Sequence, residues 1–176
     1  MSPELKSMLL KGDEKGIENF VYGDLCPDFF GVDWRAGDDE IVLECAACLK
    51  LEDSLSAEWI GDKLFITFEG GQTLVPLLED GGDRHITICK LNDVLEGKYQ
   101  LRFIVVSHGN DTLGIVALPA EDWAFLQAAC PQTVIENFID PRSLPNLITE
   151  FTEEHLPVPA RARYLRMINR NQKLKT

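Results

Sequence analysis

The sequence predicts an α+β fold: an antiparallel sheet of two β-β-α units with helices packed mainly on one face, N-terminal helices, and a basic C-terminal helix. Three observations lead there. Lys63 to Phe68 and Tyr99 to Val106 alternate or cluster apolar residues as strands do, and each leads into a glycine-containing turn. Each turn is followed by a Thr-Leu step (Thr73-Leu74, Thr112-Leu113), a returning strand and an acid-capped helix, so the unit recurs about 39 residues on, from Thr73 to Thr112. Neither unit can bury its own apolar face, so the expectation is one four-stranded antiparallel sheet shared by both.

The elements follow in chain order. Ser2-Pro3-Glu4 is a helix start: a capping hydroxyl, a proline where its missing N–H costs nothing, and an acid near the positive end. Gly12 stops that helix. Asp13 caps a second one whose Ile17, Phe20 and Val21 share a face, with Gly23 as its stop. Cys26 to Asp39 is rich in Pro, Gly and Asp and reads as loop with one short strand, anchored by Phe29, Phe30 and Trp34.

Residues 38–51 carry two periodicities. Ile41, Cys45, Cys48 and Leu49 recur at helical spacing, while Ile41, Leu43 and Cys45 alternate like a strand; Glu44 and Ala46-Ala47 favour helix. A hairpin turning at Gly70-Gly71 joins Lys63–Phe68 to Thr73–Leu78. Asp80-Gly81-Gly82-Asp83 then breaks the sheet and caps a helix from Arg84 to Leu95. Tyr99–Val106 and Thr112–Leu118 form the second hairpin, and Pro119 opens a helix carrying Trp123, Phe125 and Leu126. Cys130-Pro131 interrupts it, and Val134, Ile135 and Phe138 continue the pattern in another. Further on, Leu147 to His155 reads as a short helix, Pro157-Val158-Pro159 as an extended linker, and Arg161 to Gln172 as the last helix.

At 176 residues and 45% hydrophobic, the chain has material for a real core. The organisation expected is an acidic globular domain over residues 1–156 and a proline linker with a basic tail helix over 157–176. Met1-Ser2-Pro3-Glu4-Leu5 has neither the basic start nor the apolar run of a secretory leader, and no apolar stretch is long enough for a membrane helix. Five cysteines, an odd number in a chain of this size, read as reduced thiols in a cytoplasmic compartment.

Charge is the strongest functional signal. All 29 acidic residues lie within residues 1–160, whereas six of the 17 basic ones lie in 161–176. The body thus carries a net charge of −18 and the tail is purely cationic. Such a body is repelled by nucleic acid and by anionic membranes, so neither is expected as its partner. A basic protein fits it. For the tail, with Arg161, Arg163, Arg166 and Arg170 around Tyr164, the reading preferred is a brace against the chain's own acidic body.

Several residue groups resemble chemical sites, and each has a plainer reading. Cys45-Ala46-Ala47-Cys48 has redox or zinc spacing, but no second ligand pair accompanies it and Glu44 opposes thiolate formation; two thiols packed in a helix are expected. Ser107-His108-Gly109-Asn110-Asp111 gathers a hydroxyl, an imidazole and a carboxylate, in the pattern a turn also demands. Asp80, Asp83, His85, His108 and Asp111 would make a metal cluster only if two loops met, and neither metal nor cofactor is expected. Gly70-Gly71 and Gly81-Gly82 lack phosphate-loop spacing.

In size, acidity, the absence of a catalytic constellation and the hairpin-helix texture of residues 63–138, the chain resembles bacterial toxin-immunity proteins as a class. That resemblance implies a non-enzymatic, cytoplasmic protein-binding module that neutralises a basic toxin or effector by masking its active surface. It brings no family residue with it. The candidate partner-binding residues are the acidic pairs and caps: Asp38, Asp39, Glu40, Glu52, Asp53, Glu79, Asp80, Asp83 and Asp111, with Trp34, Trp59 or Trp123 as aromatic anchors. The alternative is an enzyme or small-ligand domain with a dispersed site near Arg84, His85, His108 and Asp111. A homo-oligomer is compatible with either.

Overall fold

The computed structural model describes residues 1–21, 27–78 and 83–173. Over these the chain is an α+β protein of seven helices and two antiparallel sheets. Ser2 caps α1 (Pro3–Lys11), its hydroxyl accepting from the Leu5 N–H at 3.3 Å, and Gly12 closes the helix in the left-handed conformation. Asp13 accepts from the Gly16 N–H to start α2 (Glu14–Val21). The stop expected at Gly23 lies outside the described residues. The loop that follows contains the expected strand, β1 (Phe29–Asp33).

Residues 38–49 are helical, as α3 (Asp38–Leu49), which buries Ile41, Val42, Cys45 and Ala46. That set falls on one helical face, so tertiary burial decides for the 3.6-residue period. Next come β2 (Leu55–Ile60), β3 (Lys63–Phe68) and β4 (Gly71–Leu74), ordered β2-β3-β4 in a three-stranded sheet. The turn at Glu69-Gly70 takes positive φ at both residues, the geometry a two-residue hairpin requires. β2 has no counterpart in the sequence reading, because only Leu55 is fully buried and an edge strand with one covered side chain shows no alternation.

α4 (Asp83–Val94) leads to β5 (Tyr99–Ile104), which ends in a 3-10 turn at Val105–Ser107 where the sequence suggests two more strand residues. β6 (Thr112–Pro119), α5 (Ala120–Ala129), α6 (Pro131–Asn137) and the two-residue β7 (Phe138–Ile139) complete the second sheet, ordered β1-β6-β5-β7. Both β-β-α units are present. Their hairpins lie in different sheets rather than one, because β1 takes the open side of β6 and β7 takes that of β5. β6 is buried at six consecutive positions, Leu113 to Leu118, so both of its faces are covered.

Two further readings change after β7. The helix expected over 147–155 is an isolated turn at 147–150 and a 3-10 turn at Glu153–His155. The Asn146 carboxamide accepts from the N–H groups of Ile148 and Thr149, and its backbone carbonyl accepts from those of Glu150 and Phe151, so a single capped turn forms and closes there. The last helix, α7 (Val158–Lys173), starts three residues earlier than expected. Pro159 sits in its first turn, where no N–H is needed, and only Pro157 remains of the extended linker. Ala160, Arg163, Tyr164 and Met167 of α7 are buried. No helix among the described residues is long and apolar enough to cross a membrane.

Candidate protein-binding surface

The acidic residues concentrate where two helices begin. Asp38, Asp39 and Glu40 fill the first turn of α3, and the Glu40 carboxylate accepts from the Gly37 N–H at 2.8 Å, a cap that favours negative charge at that end. The Asp38 carboxylate accepts from the Thr87 hydroxyl of α4 at 2.6 Å. Asp83, at the start of α4, accepts from the Leu78 N–H at 2.6 Å, and the Arg84 Nε donates to the Ala36 carbonyl at 3.0 Å. These bonds hold the two helix starts together. Burial first, then the nearby Asp83 and Asp39, push the Asp38 carboxyl above its usual range against the opposing Thr87 bond and Arg84 charge.

The neighbouring sheet end adds to this acidity. Asp33 closes β1 opposite Thr112, so Asp111 stands one residue beyond that pair. Trp34 follows Asp33 with 54% of its surface exposed, and the Arg35 guanidinium lies 4.7 Å from its ring centre. Of the sequence candidates, Asp38, Asp39, Glu40 and Asp83 thus share one end of the molecule, and Asp111 tops the adjacent strand pair. Glu52 and Asp53 are elsewhere, exposed in the turn past the far end of a twelve-residue α3. At 1.5 Å per residue that is about 18 Å away. Glu79 and Asp80 lie outside the described residues. Among the tryptophans, Trp59 is exposed on the outer strand β2, but Trp123 is core: 1% exposed, with its Nε1 donating to the Gln100 carbonyl.

The cationic tail turns inward. Arg163 is fully buried, and its Nη2 donates to Glu18 at 2.8 Å and to the Glu14 carbonyl at 3.1 Å. Arg166 reaches Glu14 and Glu136, and Arg170 bonds Glu14 and Glu18. Burial works to raise the Glu14 carboxyl, but Arg163, Arg166 and Arg170 outweigh it and hold the group below its usual value. The intramolecular brace expected of the tail is present in this form. Its acceptors escaped sequence reasoning, although Glu14 and Glu18 are four residues apart and share a helix face that matches the spacing of the arginines.

The groups resembling chemical sites are accounted for by packing and turns. The Ser107 hydroxyl donates to the Ile104 carbonyl and accepts from the Gly114 N–H, both at 2.8 Å, so it closes the hairpin. His108 packs edge-on against Phe151 and tilted against Tyr164, ring centres 4.8 and 5.0 Å away. His85 meets Cys89 on α4 instead, at 3.5 Å. Burial lowers the pKa of both imidazoles, against the pull of Glu150 on His85 and of Glu153 on His108. Among the described residues no three His, Cys, Asp or Glu side chains are grouped to hold a metal ion. Cys45 is buried with its thiol pushed far up by desolvation, and Cys48 donates to the Pro27 carbonyl.

Comparison with protein-family models, curated proteins and solved structures finds no match.

Proposed function

We propose that this chain is a non-enzymatic, cytoplasmic protein-binding module whose acidic surface masks a basic partner, in the manner of an immunity or inhibitor protein facing a toxin or effector. One observation carries the reading: the exposed Trp34 follows Asp33 of β1 in the loop that leads to Asp38, Asp39 and Glu40 of α3, while Arg163, Arg166 and Arg170 of the tail are spent on Glu14, Glu18 and Glu136. The chain's outward charge is thus more acidic than its total of −12 suggests at this end, because the tail neutralises a different one. Long-range attraction would speed association with a basic protein, and Trp34 would supply the central apolar contact.

The test is affinity capture from the native host's lysate with stepped salt elution, using the wild-type chain and a Trp34→Ala/Asp39→Lys variant. A stoichiometric basic protein, released by salt and lost from the variant, is the expected result. Capture of no basic protein by the wild type overturns the reading. Equal capture by the variant moves the surface elsewhere.

A further inference from the structure

Beside the acidic end runs a groove of about 340 Å³ between the outer edge of β1 and α3, lined by Gly31, Asp33, Glu40, Ile41, Leu43 and Glu44. We infer that this groove takes an extended, lysine- or arginine-bearing segment of a basic protein, which adds to β1 as a further strand. The inference rests on the functional reading above and specifies how the partner is held.

The backbone supplies the first argument. β1 is the terminal strand of its sheet, so among the described residues its outer side has no strand partner. The register pairs Phe30 with Ile115 and Val32 with Leu113, and the Ala117 N–H donates to the Asp28 carbonyl. In an antiparallel ladder the bonded residues alternate, so residues 28, 30 and 32 face β6 while Phe29 and Gly31 direct their N–H and carbonyl groups outward; Asp33 turns its N–H outward too, its carbonyl accepting from the Ala36 N–H at 3.0 Å. Gly31 and Asp33 are the two β1 residues that line the groove, and Gly31 is exposed. An uncovered edge of this kind is a template for an incoming strand.

Charge and shape determine the occupant. Alternate side chains of an added strand point the same way, so those directed toward α3 would meet Glu40 and Glu44, one helical turn apart. Ile41 forms a buried floor and the exposed Leu43 an apolar wall. Long cationic side chains suit both, with their methylene stems over leucine and isoleucine and their heads at the carboxylates. Asp33 and Glu40 already accept from the Arg35 and Gly37 N–H groups, but an acidic or purely apolar segment would bring no positive charge to them or to Glu44. A second copy of this chain would bring its own negative charge to the same place.

The probe is a fluorescein-labelled nonapeptide alternating arginine with valine. Its control carries proline at alternate valines, with the same charge but no capacity for a continuous strand. Binding is read by anisotropy at physiological salt, and amide hydrogen exchange is followed residue by residue on the full chain. The alternating peptide is expected to bind at least tenfold tighter than the control and to slow exchange at Gly31 and Asp33 at least tenfold. Glu44→Lys, an exposed change, should weaken it about tenfold while leaving the free protein's amide spectrum intact. Equal binding by the two peptides, or protection elsewhere with Gly31 unchanged, overturns strand addition and leaves the acidic-module reading standing. That reading falls on the capture experiment alone.

Discussion

Arg163 Nη2 lies 2.8 Å from a carboxylate oxygen of Glu18, joining α7 to α2 across 145 residues of sequence. The guanidinium is fully buried while Glu18 keeps a sliver of exposure. The pair is part of a network, since Arg170 also bonds Glu18 and Arg163 also faces Glu14. Arg163→Ala therefore leaves Glu18 with one cation rather than none, and should cost less in urea unfolding than the about 3–5 kcal/mol of a buried charge left wholly unpaired. Arg163→Met, which refills the buried volume without a charge, should recover part of that loss.

Geometry alone is a poor guide to such energies. Lys98 Nζ is only 2.5 Å from Glu69, yet both side chains are more than half exposed. Water screens the pair and ordering two long side chains offsets the attraction, so Lys98→Ala should cost less than about 1 kcal/mol. Thermal melts of the two single variants side by side would show the contrast.

The tryptophans should separate stability from binding. Trp123 packs against Phe138 at 5.2 Å between ring centres and lies under the Arg102 guanidinium at 4.3 Å. Trp123→Ala should cost about 3–5 kcal/mol. Trp34→Ala should stay within about 0.5 kcal/mol of wild type, while capture of the basic partner drops.

Acid should weaken the fold in two stages. Burial holds the pKa values of His85 and His108 below the unfolded value of 6.5, so the unfolded chain binds more protons there. Their contribution is complete above pH 6.5 and is lost as pH falls through that value toward the folded ones. Glu14 and Asp140 have lowered carboxyl pKa values, so theirs is present above the ordinary carboxylate range and lost on further acidification. His108→Phe keeps the stack on Phe151 and Tyr164 without a titrating group. It should flatten the stability loss between pH 7 and pH 5 in urea titrations, leaving the lower stage intact.

Thiol chemistry offers a separate check. Burial raises the Cys89 thiol to about 11, and the Cys45 thiol further still. Both should resist iodoacetamide at pH 8 in the native protein and react on unfolding, as mass spectrometry of the labelled peptides would record.

Local signals were the legible part of this fold. Ser2, Asp13 and Gly12 fix helix ends through bonds to residues three or four away. The hairpin turn was legible too, although it falls at Glu69-Gly70, one residue before the Gly70-Gly71 expected, and β4 starts at Gly71. Which strands become neighbours depends on contacts such as Phe30 with Ile115, for which no local pattern exists. That is why two similar hairpins enter separate sheets. The same limit applies to the surface: the acids of 38–40 and 83 were visible as helix caps, but Thr87 and Arg84 bring them together only in three dimensions. The edge of β1 left no trace in the sequence, since an unpaired backbone has no residue signature.

The bond between Glu18 and Arg163 also sets an order of events at the ribosome. At about 5–20 residues per second, α2 emerges roughly 7–30 s before the arginines that neutralise it. During that interval Glu14 and Glu18 lack their eventual counterions, and the core residues that α7 covers stay open. Until α7 arrives, that surface stays open to chaperones and proteases, and a ribosomal stall ahead of residue 163 would hold the nascent chain in that state.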